Sequence, residues 1–298
     1  MAACLFGSCT ALADLYDPAR LETESLRIAP LIRDAFDGVL AALPPFDRDR
    51  ADRLRLTIPL DGPDPLYYGA RPATGTVVIP VETVLFLEET AALRAILDAR
   101  GCDRDDLATY AAALLGGGER PDPPLAAFGL PPEEAEASAA ARLAVRSLQE
   151  QTLHFLVAHQ VAHLLRGTAR GPSEIHSPGD EISADAYALD LLAAQNRAPG
   201  TVDLLFLLEL WRMAAGRPAA AGAHPVTAER LDAVSQRLLR DRDLFRAAQT
   251  DQVARWELEL LAFELRDLAA ELRKGTPWPG TGAALPRAGG GPGSACPG

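Results

Sequence analysis

Apolar residues recur at helical spacing from Leu26 to Leu43, and the pattern stops at Pro44-Pro45, which predicts a first substantial helix. Two strand-like runs follow. Arg53–Leu60 alternates in character, and Gly75–Pro80 holds the β-branched cluster Thr76-Val77-Val78-Ile79. A turn-rich DGPDP segment separates them, so the two runs are expected to be neighbouring strands of a small sheet. Helical spacing returns over Val81–Ala99 and Asp105–Leu115. Gly116-Gly117-Gly118 and a Pro-rich stretch to Pro132 then predict a flexible linker or surface loop over residues 116–132. Beyond it, helices are predicted at about 133–166, 181–195, 201–215, 226–247 and 250–274.

The expected architecture is α+β and mostly helical. Residues 1–17 form a lead, and residues 18–274 a single domain made of a helix-and-sheet part (18–115), the linker loop (116–132) and a helical part (133–274). After Lys274 the chain is rich in Gly, Pro and Ala and carries hardly any charge, so residues 275–298 cannot build a core and are expected to be disordered. The segment 250–274 combines a wide apolar stripe with alternating charges, which fits packing on its own domain or on a partner helix.

Composition narrows the function classes. The net charge is −12 with acidic residues spread along the chain, which argues against a surface that attracts nucleic-acid phosphates or anionic lipid. No run approaches the roughly 18 apolar residues of a membrane span, because Asp203 and Glu209 interrupt the best candidate near Leu204–Leu210. The start, MAACLFGSC, lacks the basic residues and apolar core of a signal peptide. Cys4, Cys9, Cys102 and Cys296 are scattered and form no paired motif. A soluble protein of the reducing cytoplasm is the expectation.

The chemistry concentrates in LHFLVAHQVAHLLRG, which sets His159 and His163 four apart, so both imidazoles leave one face of a helix one turn apart. Two zinc ligands need that geometry, and a catalytic zinc needs a third protein donor and an open fourth position. Glu181 is the candidate third donor. Gly167, Pro172, Pro178 and Gly179 mark a loop that ends the first helix and lets a second bring this carboxylate back. Asp185 follows one turn later on the same face and is placed to accept the free N–H of a ligating histidine.

These residues resemble a family signature. His-x-x-x-His followed by Glu-x-x-Ala-Asp is similar to the HExxH…ExxAD pattern of the gluzincin zinc metallopeptidases. His224-Pro225 with Arg230-Leu231 resembles the HPxxxxR segment of HtpX-like and Lit-type phage-exclusion peptidases. The resemblance covers about residues 65–240, strongly at 153–195. It implies a zincin-like fold with the small sheet packed on the metal-site helices, and Zn2+ held by His159, His163 and Glu181. It further implies that Gly75–Pro80, after Tyr67-Tyr68-Gly69, is the edge strand along which an extended peptide substrate lies. By the same resemblance His224 stabilises an oxyanion or caps the metal as an inhibitory ligand, with a plain structural role at a helix start as the open alternative. Arg230 orients a substrate carbonyl or pairs with Glu181 or Asp185.

One position departs from the pattern: Gln160 stands where the family has its catalytic glutamate. The glutamate takes a proton from the attacking water and returns it to the leaving amine, and an amide does neither. General acid–base assistance is worth about 10²–10⁴ in rate, so an inactive or strongly impaired peptidase-like protein is expected. Several readings stay open: a natural pseudopeptidase, an active peptidase using another base, and an engineered glutamate-to-glutamine form that traps a complex. Two more are a non-catalytic peptide-binding regulator and a metal-free helical scaffold. Glu150, nine residues before His159, is too distant for a base, and His176 in the connecting loop is the nearer alternative. As a loop residue His176 is expected to be exposed. His154 lies roughly 140° round the helix from His159 and faces away from the metal side.

Overall fold

The computed structural model describes residues 15–102, 105–116, 122–168, 176–214, 224–245 and 251–275. The predicted lead falls almost wholly outside these residues, as does the Gly/Pro-rich tail beyond Gly275, together with Cys4, Cys9 and Cys296. Helix α1 (Pro18–Ala41) is capped by Asp17, whose side chain accepts from the Ala19 amide, and a short α2 (Pro45–Ala51) follows. Strands β1 (Arg55–Thr57), β2 (Gly69–Arg71) and β3 (Thr76–Val78) come next, then α3 (Val81–Ala99) and α4 (Asp105–Gly116). Helices α5 (Pro124–Ala127), α6 (Pro132–Ala137) and α7 (Ala139–Ser147) lead through a π-helical turn, Leu148–Thr152, into α8 (Leu153–Arg166). The chain continues with α9 (Pro178–Ala194), α10 (Val202–Ala214), α11 (Ala228–Arg240) and α12 (Asp251–Lys274). The fold is therefore mostly helical with one small sheet, as its periodicity predicts.

Three departures are informative. The sheet has the order β1-β3-β2, with β1 parallel and β2 antiparallel to β3. The Gly75–Pro80 run is thus the central strand and not the edge. Val77 and Val78, which point to opposite faces, are both buried, which is why this run is continuously apolar. The edge on the α8 side is β2, which is too short and too plain in composition (Gly-Ala-Arg) to signal a strand. Residues 122–132, read as part of a linker, contain α5 and bury Leu125, Phe128 and Leu130 against the core. The predicted helix 133–166 is broken at Ser138, whose hydroxyl caps α7 by accepting from the Ala141 amide, and again by the π turn, where an extra residue shifts the helical register ahead of the site.

Helix α8 is the centre of the molecule. Leu153–His163 are all buried, since α1, α9, β2 and β3 pack around it. A helix enclosed on every side carries apolar residues on every side, and each full burial of a Leu, Val or Phe contributes about 1.5–3 kcal/mol. Its polar exceptions, His154, His159, Gln160 and His163, therefore each need a local explanation. No helix among the described residues is long and apolar enough to cross a membrane.

Candidate metal centre

Three elements converge on the inner face of α8. The first is α8 itself, ended by Gly167 in the left-handed region (φ 70°), a conformation open to glycine at little cost. That reversal returns Thr168 to the helix, where its hydroxyl lies 2.9 Å from His163 Nδ1. The second is the start of α9, capped by Ser177 and opened by Pro178, which sets Glu181 in its first turn and Asp185 one turn deeper. The third is the segment entering α11. His224-Pro225 precede the Thr227 cap, and Arg230 occupies the first turn.

The donor atoms meet at one point. His159 Nε2 lies 3.0 Å from His163 Nε2, 3.2 Å from His224 Nδ1 and 3.3 Å from Glu181 Oε2. Glu181 Oε1 lies 3.2 Å from His163 Nε2 and 3.1 Å from His224 Nδ1. All four residues are buried, and one donor from each falls within 4.8 Å of all the others. Four donors about 2.0–2.1 Å from a single ion stand roughly 3.3 Å apart in a tetrahedron, close to these separations. The group can hold a metal ion. Its donor set of three imidazoles and a carboxylate suits zinc and other borderline divalent metals.

The surroundings are arranged to hold those donors. Asp185 Oδ1 lies 2.8 Å from His159 Nδ1, so the carboxylate takes that N–H and leaves Nε2 facing the cluster. Arg230 is fully buried and binds both carboxylates. Its Nε donates to Asp185 Oδ2 at 2.6 Å, Nη2 to Asp185 Oδ1 at 2.9 Å, and Nη1 lies 2.8 Å from Glu181 Oε2. Nη1 also donates to the His224 and Pro225 carbonyls, at 3.2 and 3.1 Å, which ties the third element to the other two. The guanidinium sits over the Phe206 ring.

Ionisation follows from burial and these pairs. Desolvation lowers His163 to about 4 and His224 to about 3, so both are neutral at pH 7, the form a metal requires. Burial also opposes a proton on His159, but Glu181 and Asp185 outweigh it and raise its pKa. Glu181 and Asp185 are held below the ordinary carboxylate range. Burial pushes both upward, and Arg230 overcomes it, aided by His159 on both and by His224 on Glu181.

Gln160 is buried one position beyond His159, with Nε2 placed 3.2 Å from His224 Nε2 and Oε1 without a hydrogen-bond partner. Binding a metal through His224 Nδ1 puts that ring's proton on Nε2, and the amide must then present Oε1 to accept it. As placed, the amide nitrogen faces that ring nitrogen, so this pairing needs the amide oxygen and nitrogen exchanged. Two further residues lie against the cluster. His176 is buried rather than exposed, with its ring centroid 4.1 Å from that of His163 and its Nδ1 3.8 Å from Glu181 Oε1. Tyr68 stacks on His224 at 4.7 Å and 3°, while its hydroxyl donates to Glu209 Oε1 at 3.1 Å. Periodicity gives no hint of Tyr68 or Thr168. The nearest signals were the Tyr67-Tyr68-Gly69 stretch ahead of the strand and the Gly167 stop.

Glu150 is exposed at the π turn, and its carbonyl accepts from Arg197. His154 is buried on the far side of α8, with Nδ1 unpartnered. No family model, curated protein or solved structure matches the chain. The gluzincin resemblance therefore rests on the motif residues alone, and the structure adds a buried cluster that can hold a metal ion.

Proposed function

We propose that this chain is a zinc-metallopeptidase-like protein that holds zinc through His159, His163, Glu181 and His224 and does not hydrolyse peptides at an enzymatic rate. The observation carrying this reading is the convergence of four buried donors within 4.8 Å, with contacts of 3.0–3.3 Å from His159 to each of the other three and from Glu181 to His163 and His224, so that a protein nitrogen can take the position a catalytic site leaves open. Bound zinc supplies Lewis acidity where a coordination position is open, and otherwise ties the helices together. The residues of this chain favour the second use. His224 fills the fourth place, held there by Gln160, Tyr68 and Arg230, and the Gln160 amide takes no proton at the position where the family carries its base.

A second reading, recognition of an extended peptide, is favoured by β2. Among the described residues this strand pairs with β3 on one side only and lies next to α8, so a peptide can add to its other side. In that case the chain binds and does not cut.

The test pairs elemental analysis of the purified protein with peptidase assays on a mixed peptide pool. One zinc per chain, absence of cleavage, and weak cleavage in a Gln160→Glu, His224→Ala double variant support the proposal. Absence of zinc after growth in zinc-supplemented medium refutes the metal assignment. Cleavage by the unaltered chain that disappears in His163→Ala refutes the loss of catalysis.

A further inference from the structure

None of the metal-site residues borders a second feature, a cavity of about 540 Å³ between α3, α7, the residues leading into α10, and α12. Its volume is within the range of ligand and peptide pockets. Its floor is apolar, made by alanines of α3 and α7 with Leu258 and Leu261 of α12. The charges around it are one-sided. Asp98, Glu150, Asp203, Glu257 and Glu264 line it against only Arg94 and Arg146. Arg94 is already engaged, since it pairs with Asp203 and lies 3.6 Å from Glu264 and 3.9 Å from Asp98, which leaves Glu150 and Glu257 as the acidic lining residues outside that cluster.

The apolar surface continues out of the cavity along α12. Leu258, Ala262, Leu265 and Ala269 form the buried side of this helix, which packs on α11. Trp256, Leu260 and Phe263, spaced i, i+4 and i+7, form the opposite side and are 63%, 44% and 43% exposed, with the Arg266 guanidinium over the Phe263 ring. Leu260 lines the cavity, as does Leu143 of α7, which is 58% exposed. An exposed stripe at helical spacing, with a tryptophan in it and a cavity beside it, is the form in which helix-in-groove sites occur.

We propose that this groove is a docking site for a basic amphipathic helix of a partner protein. The partner lays apolar side chains at i, i+4 and i+7 against Trp256, Leu260 and Phe263, places one in the cavity, and sets Lys or Arg against Glu150 and Glu257. Charge selects this occupant. A second copy of the chain carries the same net charge of −12, which opposes its approach. The chain's own residues 276–298 contain Arg287 as their single charged side chain and provide no basic flank.

The test uses the full chain and two synthetic amphipathic helical peptides with one leucine face, one flanked by lysines and the other by glutamates, titrated by calorimetry. The lysine peptide is expected to bind saturably in the micromolar range at one site, and the glutamate peptide at least tenfold more weakly. Leu260→Lys is expected to weaken the lysine peptide at least tenfold, as is Glu150→Lys combined with Glu257→Lys. Circular dichroism and the melting temperature of both variants establish that they are folded. Equal binding of the two peptides, or binding unchanged in the folded variants, overturns the proposal. No saturable binding below about 100 μM also overturns it, unless truncation after Gly275 uncovers binding. That result instead names the chain's own end as the occupant and overturns the partner reading equally. A dimer that Leu260→Lys dissociates shows a second copy to be the occupant, with the same consequence.

Discussion

Replacing Arg230 by methionine keeps much of the side chain's length and removes the guanidinium that Glu181 and Asp185 share, leaving His159 as the other group that pairs with both. In the metal-free protein both carboxylates then lie buried among imidazoles with no guanidinium, and the His224 and Pro225 carbonyls lose their donor. Breaking a buried ion pair by removing one partner costs about 3–5 kcal/mol. For a domain of this size a loss of that order lowers the melting temperature by roughly 6–20 °C. A bound divalent cation supplies positive charge at the same point, so the zinc-loaded variant is expected to lose less than half as much. Zinc should therefore raise the melting temperature of Arg230→Met more than that of the unaltered protein. The pH dependence should also reverse. In the unaltered chain Glu181 and Asp185 titrate below their unfolded values, so their contribution is fully present above about pH 4 and is lost as pH falls through the folded values. Without Arg230, desolvation raises both, and stability is lost as pH rises instead. Differential scanning calorimetry in chelator and in excess zinc, at about pH 3, 5 and 8, spanning the carboxylate range, reads all of this. Equal losses in the two metal states, or an unchanged pH profile, would show that Arg230 does not support the site electrostatically.

Other consequences are simpler to check. His224→Ala removes a donor and should weaken zinc binding more than 100-fold in a chelator competition, whereas Gln160→Leu, which removes only the partner of His224 Nε2, should cost about 10-fold. His154 is neutral in the fold because burial lowers it to about 4. Its contribution is present above its unfolded value of about 6.5 and lost between pH 6.5 and 4, by up to about 3 kcal/mol. His154→Gln should therefore flatten the acid limb of urea-unfolding stability by close to one proton, and an identical limb would contradict this. Gly200 has φ +64°, and an added Cβ would stand 2.9 Å from the Ser147 carbonyl oxygen and 2.6 Å from Thr152 Oγ1. Gly200→Ala should cost about 1–3 kcal/mol by urea unfolding without changing zinc content.

The helical content, β1, β3 and the span of α3 were legible because apolar periodicity is a local property, and burial follows it directly. The pair His159 and His163 with Asp185 was legible for the same reason, since fixed spacings on two helices determine which faces they share. What escaped was set by other parts of the chain. Strand β2 has no strand composition and exists because β3 needs a partner on its second side. Phe128 and Leu130 looked like linker residues because prolines and glycines surround them, yet packing buries them. His176 comes from a connecting loop, and no pattern states that such a loop returns to its own helix. The place of His224 among the donors depends on how α11 enters the core, which the HP motif marks but does not orient.

The most direct measurement is X-ray absorption at the zinc edge on the purified chain. The account predicts one zinc per chain, four-coordinate, with three imidazole nitrogens and one carboxylate oxygen at about 2.0–2.1 Å, and a signal that loses one imidazole in His224→Ala. Failure of the chain to retain zinc, or a shell of two imidazoles, a carboxylate and a solvent oxygen, would contradict it.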